Sequence, residues 1–472
     1  MARLLGGNYD VLVYGAGIAP TMCAALLSQK GRSVLLISPE GTNAEELELE
    51  EGPAVPAVLS GLNEGYPVYQ AFQELGLIEG LPWRKCETLA QVLTPHFRVK
   101  MNISANSAFS DELRIELSGQ ERLDLERLLR VINYESPLRN SVRAVMCTDP
   151  SRIRPRRKVL DAMRRHLGTV SKEITDTLVT PVAAFNSHSV PVNMPPEEAA
   201  LVLALQGEGI WRLDQGVGAI IERLIKSIHA NGSDVLIGTE VASIVMEQKK
   251  VSGLLLSSFE GVVKGSQVVI GEDLRVLYGS IPLSLQDTNY VYDLSRVENS
   301  HIEHTVVFEI NEDALPRGMA EDVVYLSDPT LPLEGENYLT LRSVKSGRGT
   351  IYVFATVLVP ERVAKTQPKS LRRLSAMMLR KMEEIMPFVE YNIRQVWPDF
   401  RHAAVSESVR RPGKARYYVR GGKLRQGFNA VSIATPHDNM HACGGLIWPS
   451  LGLYGEALSG LRAAEAVLNL RI

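Results

Sequence analysis

Two glycines near the amino terminus have the spacing that brings a peptide backbone close to a phosphate. Gly15 and Gly17 follow a short β-rich run, residues 9–14, and precede the helical pattern 21–30. In such a turn the first glycine permits the tight bend and the second lets the backbone approach a pyrophosphate. The helix N-terminus then offers free N–H groups and a partial positive charge. These residues predict dinucleotide binding.

Two positions depart from the usual fingerprint. Pro20, which follows Ala19, stands where the third small residue belongs, and proline removes one N–H donor although a first helical turn tolerates it. Ser38 ends the second predicted strand, 33–37, where an acidic residue would hold a ribose hydroxyl. Serine lacks the charge and the two acceptor oxygens of a carboxylate. The residues leave open whether the turn binds a dinucleotide or only keeps the fold.

The loop after the second strand is strongly acidic. Its glutamates are Glu40, Glu45, Glu46, Glu48, Glu50 and Glu51. Directed at the turn they would repel phosphates, whereas a loop turned outward would be an ordinary solvated segment. We expect the loop to face solvent.

A second group of small residues lies near the carboxyl terminus. Gly444 and Gly445 precede a run at 448–455, after which a helix is predicted over 456–470. The helix dipole would stabilise negative charge at the start of this helix, where backbone N–H groups can approach a ligand. The predicted ligand-facing positions are Gly452, Leu453, Tyr454 and Gly455. Close packing is the alternative explanation for the small residues along the helix.

A strand and helix unit in the middle of the chain completes the pattern. The element 211–218 precedes a helix predicted over 219–230, and strands are predicted over 235–245, 251–257 and 266–270. Val241 lies where a strand edge could offer backbone groups to an adenine. A plain α/β segment without a ligand explains the same apolar residues equally well.

The turn at 15–17, the element 211–218 and the terminal segment 444–465 together resemble the flavin amine oxidase superfamily. Within it, the chain is most similar to the phytoene desaturase and protoporphyrinogen oxidase-like branch. The resemblance implies FAD as cofactor and an oxidoreductase that dehydrogenates or isomerises an apolar, isoprenoid-type substrate. Rab GDP-dissociation inhibitors share the fold without using flavin. The alternative is therefore a flavin-free binding protein, because a fold does not fix a function.

The resemblance also implies roles for individual residues. Gly15 and Gly17 match the pyrophosphate turn, Val241 matches the adenine-side strand, and the segment 452–455 matches the flavin-ring end. Ser38 and Gly445 fall on the two positions where the family has acidic contacts.

The expected fold class is α/β, with two parts. The first is a discontinuous FAD-type Rossmann-like nucleotide-binding domain over 1–85, 201–275 and 401–472. The second is an α+β substrate domain with a mainly antiparallel sheet over 86–200 and 276–400. In it, strands are predicted at 113–117, 305–310, 323–326, 338–344 and 350–358, and a helix at 370–386. Ser118 and Glu121 have the spacing of a capping box.

Composition excludes several classes of protein. The 472 residues are too many for one compact core, and a formal charge of −3 gives no reason to expect nucleic acid. No apolar run is long enough to span a membrane, which favours the cytoplasm. The widely spaced cysteines predict reduced thiols rather than a zinc site or disulfides, and they are Cys23, Cys86, Cys147 and Cys443.

No catalytic constellation stands out, so the catalytic residues stay unassigned. His301 and His304 are close in sequence, but their surroundings predict a structural pair and no metal site. The dense basic stretch 152–166 is compatible with peripheral contact to anionic lipid, with a protein partner, or with a solvated charge run.

Overall fold

The computed structural model describes residues 8–39, 53–102, 113–134, 171–257, 261–347, 349–366, 368–398, 415–419 and 430–468. The acidic loop 40–51, the basic stretch 152–166 and Cys147 lie outside these ranges.

Strands make up three sheets. In chain order they are β1 (Asn8–Tyr14), β2 (Val34–Ser38), β3 (Ala57–Ser60), β4 (Arg84–Cys86), β5 (Thr88–Leu93), β6 (Arg98–Asn102), β7 (Ile210–Leu213), β8 (Asp234–Ile237), β9 (Val241–Glu247), β10 (Lys250–Leu256), β11 (Val262–Ile270), β12 (Val297–Asn311), β13 (Asp322–Leu326), β14 (Tyr338–Lys345), β15 (Thr350–Pro360), β16 (Ile393–Trp397), β17 (Ala415–Val419) and β18 (Met440–Ala442).

Helices connect and cover the sheets. They are α1 (Ile18–Gln29), α2 (Pro67–Glu74), α3 (Leu77–Gly80), α4 (Gly119–Tyr134), α5 (Lys172–Ile174), α6 (Thr180–Phe185), α7 (Pro196–Gly207), α8 (Gly216–Ala230), α9 (Leu274–Gly279), α10 (Thr288–Ser295), α11 (Glu361–Thr366), α12 (Pro368–Ile385) and α13 (Gly452–Val467). A π-helical segment, Thr175–Val179, joins α5 to α6.

The first sheet carries the glycine turn. Its strand order is β8-β2-β1-β11-β10-β9, and β18 also pairs with β11. β1 runs parallel to β2 and to β11, and its residues from Val11 to Tyr14 are all buried and mainly aliphatic, as in strands covered on both faces. α1, buried from Ile18 to Ser28, packs against α8 and α13. α1, near the amino terminus, is therefore in contact with the middle of the chain through α8 and with its carboxyl-terminal helix through α13.

The second sheet is mainly antiparallel. Its order is β16-β12-β15-β14-β13-β5-β6, and β17 also pairs with β12. Among the described strands of this sheet, only β13 and β5 pair in parallel. Met378 and Met382 of α12, and Met386 just after its end, are buried in the core that covers this sheet. A small antiparallel sheet, β3-β7-β4, forms the third. The predicted α/β class with a parallel and a mainly antiparallel sheet is confirmed, while the exact domain boundaries stay a prediction.

Three local predictions were wrong. The strand expected over 235–245 is two strands, because Gly238 takes a φ of +77° between β8 and β9. Residues 113–117 form a helical turn, closed by a 3.1 Å hydrogen bond from the Leu117 N–H to the Leu113 carbonyl. The terminal helix begins at Gly452, four residues before its expected start.

The capping-box prediction is supported on one side, since the backbone N–H of Ser118 donates to Glu121 Oε2 at 2.9 Å. Cys23, Cys86 and Cys443 are buried free thiols. Within the described ranges no helix is long and apolar enough to cross a bilayer.

Candidate functional site

The glycine turn lies at the carboxyl edge of the parallel strands. The Gly15 N–H donates to the Ile37 carbonyl at 2.9 Å, which ties the turn to the end of β2. Gly15 has a φ of +134°, a conformation that side-chain-bearing residues rarely adopt. In open α/β sheets, ligands bind at the carboxyl edge of the strands. Here this edge is formed by β1 and its parallel neighbours β2 and β11.

Gly17 leaves open space beside the start of α1. A β-carbon at this position would meet nothing within 4 Å. Gly17 is the N-cap of α1 and supplies no side-chain cap, and the first turn of the helix carries no acidic residue. The partial positive charge at this helix end is therefore not offset from within α1.

A carboxylate from the bend just after β11 reaches the same turn. The Ala16 N–H, between the two glycines, donates to Glu272 Oε1 at 2.9 Å. Sequence analysis missed Glu272, although an acidic residue directly after a predicted strand and Gly271 was a usable signal.

The ring of Pro20 packs against two glycines near this contact. A β-carbon on Gly15 or on Gly271 would lie only 2.9 Å from ring atoms of Pro20. The Gly271 N–H also donates to the Tyr14 carbonyl at 2.7 Å. Proline in place of the third small residue thus coincides with a close approach of the segment that carries Glu272.

Negative charge is concentrated at this point. Burial first, and then the Asp273 and Glu272 carboxylates, raise the pKa of Tyr14. Burial also raises the pKa of Cys443, with smaller contributions from Cys23 and Glu272. The buried Tyr14 hydroxyl contacts the backbone of Val241, which places that predicted residue beside the turn.

The predicted ribose position, Ser38, is buried at the end of β2. Its carbonyl accepts a 2.9 Å hydrogen bond from the Thr239 N–H. The second position without an acidic residue, Gly445, is partly exposed. Its neighbour Gly444 donates its N–H to Ser459 Oγ at 2.8 Å, and a β-carbon there would meet the Gly271 carbonyl at 2.5 Å.

α13 and α1 contact each other through small residues. A β-carbon at Gly460 would collide with the carbonyl of Ala19, which is buried in α1. The packing explanation for the small residues of the terminal helix is therefore supported by a specific backbone contact.

The predicted ring-end segment is buried by the chain's own backbone. Gly452 has a φ of +57°, and the Asn186 carbonyl fills the place of its β-carbon. A β-carbon at Gly455 would meet the Trp448 carbonyl at 2.5 Å. Leu453 and Tyr454 are buried as well. In the described residues, both glycines are required by protein packing.

A buried polar cluster fixes the loop that covers Gly452. The His188 N–H donates to the Pro449 carbonyl at 2.7 Å, and His188 Nδ1 lies 3.0 Å from Glu456 Oε1. Glu198, fully enclosed, accepts hydrogen bonds from Ser189 and Ser450. Burial raises the pKa of Glu198 to about 7, although both hydroxyls act to lower it. Local sequence patterns do not reveal this cluster, because it joins residues 188–198 to residues 449–456.

The paired histidines serve the second sheet. His301 Nε2 lies 2.8 Å from Glu334 Oε2, and His304 Nε2 lies 2.8 Å from Ser375 Oγ. Burial lowers the pKa of His304 to about 4. Among the described residues no group of acidic, histidine and cysteine side chains could hold a metal ion.

Comparison with solved structures gives the fold. Similar structures include an oxidoreductase from Methanosarcina mazei, with 15% identity and a TM-score of 0.64 over 96% of this chain and 99% of that chain. Cyclohexylamine oxidase from Brevibacterium oxydans has 15% identity and a TM-score of 0.59 over 98% and 99%. Putrescine oxidase bound to putrescine has 14% identity and a TM-score of 0.62 over 98% and 99%. This chain shares the fold of these structures.

These neighbours are oxidoreductases by name, and the likeness at such identities establishes the fold alone. No protein-family model and no curated sequence matches the chain. The fold that the resemblance implied is thus confirmed by structure and not by sequence similarity.

The glycine turn has room for the pyrophosphate of a dinucleotide such as FAD. Gly17 has open space beside it, and the start of α1 has neither a side-chain cap nor an acidic residue in its first turn. One donor, the Ala16 N–H, already holds a carboxylate. The groups that would hold the phosphates are therefore the Gly17 backbone and the first turn of α1, where Ala19 keeps its N–H and Pro20 has none. Gly15 would shape the turn, because its N–H is already bonded to the Ile37 carbonyl.

Proposed function

We propose that the chain is an FAD-dependent oxidoreductase. The observation that carries the proposal is the open turn at Gly17, at the carboxyl edge of a parallel sheet, in a chain that shares the fold of oxidoreductases over nearly its whole length. Bound FAD would supply the electron-transfer chemistry. The chain's own contribution would be to hold the pyrophosphate at the glycine turn.

The proposed substrate is an apolar, isoprenoid-type molecule that is dehydrogenated or isomerised. This part rests on the resemblance to the phytoene desaturase and protoporphyrinogen oxidase-like branch. We place the protein in the cytoplasm, with peripheral membrane contact through 152–166 as the corresponding proposal for delivery of such a substrate.

A second candidate is a flavin-free binding protein with the same fold, like the GDP-dissociation inhibitors. The observation that favours it is the Glu272 carboxylate on the Ala16 N–H, where a phosphate would otherwise bind. Ser38 and Gly445 support it further, because neither residue can replace the missing acidic contacts.

A titration of the purified protein with FAD, followed by flavin fluorescence, separates the two candidates. The oxidoreductase proposal expects saturable binding that Gly17→Val abolishes, because the new side chain fills the space left for the pyrophosphate. Gly17 has a φ of −68° and free surroundings, so the fold should tolerate valine.

Gly119→Val is the matched control, since Gly119 is exposed at the start of α4 and a β-carbon there would meet nothing within 4 Å. Absence of saturable binding in the wild type contradicts the oxidoreductase proposal and favours the flavin-free candidate. Equal binding by the wild type and Gly17→Val places any flavin elsewhere.

A further inference from the structure

We infer that Glu272 acts as an internal anion at the dinucleotide turn and lowers its affinity for phosphate-bearing ligands. The inference rests on the proposed function, in which this turn receives the pyrophosphate. It concerns a residue outside the glycine fingerprint, two positions after the end of β11, and it assigns to that residue the control of how tightly the site binds.

The geometry puts the carboxylate in competition with a ligand for the same donor. Glu272 Oε1 accepts the Ala16 N–H at 2.9 Å, and Ala16 lies between the two glycines of the turn. Backbone N–H groups in such turns are the donors that cradle phosphate oxygens. A phosphate that uses the Ala16 N–H must displace the carboxylate or share the donor with it.

The position of Glu272 is fixed by packing and not by chance rotation of a surface side chain. Gly271 is hydrogen-bonded to Tyr14 and lies against the Pro20 ring, so the backbone entering Glu272 is held beside the turn. The Cγ of Glu272 lies 3.4 Å from the place of a Gly15 β-carbon. The substitution of a small residue by Pro20 and the presence of Glu272 therefore form one local arrangement.

Charge adds to the competition for the donor. The negative charge of Glu272 contributes to raising the pKa of two neighbouring groups, the Tyr14 hydroxyl and the Cys443 thiol. A pyrophosphate at the same place would meet like charge at short range, which is unfavourable in a partly buried setting. The same carboxylate stabilises the helix end in the absence of a ligand.

Glu272→Gln removes the charge and keeps an oxygen that can accept the Ala16 hydrogen bond. Asp273→Asn is the matched control, because Asp273 is the neighbouring carboxylate and also raises the pKa of Tyr14. We expect Glu272→Gln to bind FAD and inorganic pyrophosphate at least about tenfold more tightly than the wild type. The gain for Asp273→Asn should be clearly smaller.

Isothermal titration calorimetry with FAD and, separately, with inorganic pyrophosphate decides the outcome. If Glu272→Gln gains affinity for pyrophosphate while neither protein binds FAD, the inference holds and the oxidoreductase proposal fails. If both proteins bind FAD equally, the proposal holds and the inference is overturned. If Glu272→Gln gains affinity for neither ligand, or if Asp273→Asn gains as much, Glu272 is not the internal anion of this turn.

Discussion

The side chain of Arg342 donates a 2.7 Å hydrogen bond from Nη2 to Oδ1 of Asn186. Arg342 belongs to β14 of the antiparallel sheet, and the backbone carbonyl of Asn186 lies against Gly452 at the start of α13. One residue thus joins the sheet of the predicted substrate domain to the terminal helix of the predicted nucleotide-binding domain. The backbone of Asn186, which Arg342 anchors, therefore packs directly against the start of α13.

Gly452→Ala should therefore destabilise the fold by about 2 kcal/mol or more, because its β-carbon would collide with the Asn186 carbonyl and its φ is positive. Urea unfolding measures the change. Gly119→Ala is the control and should leave the free energy of unfolding within about 0.5 kcal/mol. A Gly452→Ala protein as stable as the wild type would contradict the close packing at the start of α13.

Arg212 is fully buried and holds a group of charges between sheets. Its Nη2 donates to the Ser343 carbonyl at 2.6 Å, and its guanidinium also pairs with Asp214 and Asp322. Arg212→Met should lower the free energy of unfolding by about 3 kcal/mol or more, since the buried Asp322 then loses a partner. Lys226→Met, which breaks only the exposed pair with Glu222, should have a much smaller effect in the same urea titration.

The raised pKa of Glu198 should make the stability of the fold depend on pH. Burial raises its pKa from 4.5 to about 7, so the folded chain keeps a proton that the unfolded chain loses between these values. The free energy of unfolding should therefore fall as the pH rises through this window, by up to about 3 kcal/mol from this group.

Glu198→Gln stays neutral and should lose that decline, with a flatter curve between pH 5 and pH 7 in urea unfolding, a window set by the shifted pKa of Glu198. Glu197→Gln, a substitution at the neighbouring and less buried position of α7, should keep the wild-type slope. Parallel curves for wild type and Glu198→Gln would show that Glu198 does not bind the extra proton.

The fold and the turn were predictable from local patterns. The β1–turn–α1 unit follows from alternation between an apolar run, glycines and helical spacing within about 30 residues, the size of one βαβ unit. The terminal helix followed from its small residues. Gly238 was not used as a break between β8 and β9, because a single glycine in an apolar run does not reveal its φ.

The parts that could not be predicted depend on distant residues. Glu272 meets Ala16 across 256 positions of the chain, and Ser189 meets Ser450 across 261. Periodicity reports only which face of an element is apolar and says nothing about which carboxylate a parallel strand brings to the turn. For the same reason the sequence favoured a ligand as the cause of Gly452 and Gly455, where the structure places backbone carbonyls.

The visible absorption spectrum of the protein as purified, before and after incubation with FAD and gel filtration, decides whether the turn at Gly17 binds the cofactor. The wild type should show flavin bands that remain with the protein after the column, and Gly17→Val treated in the same way should lack them. A wild-type protein that emerges colourless after incubation with FAD would contradict the claim that this turn binds the cofactor.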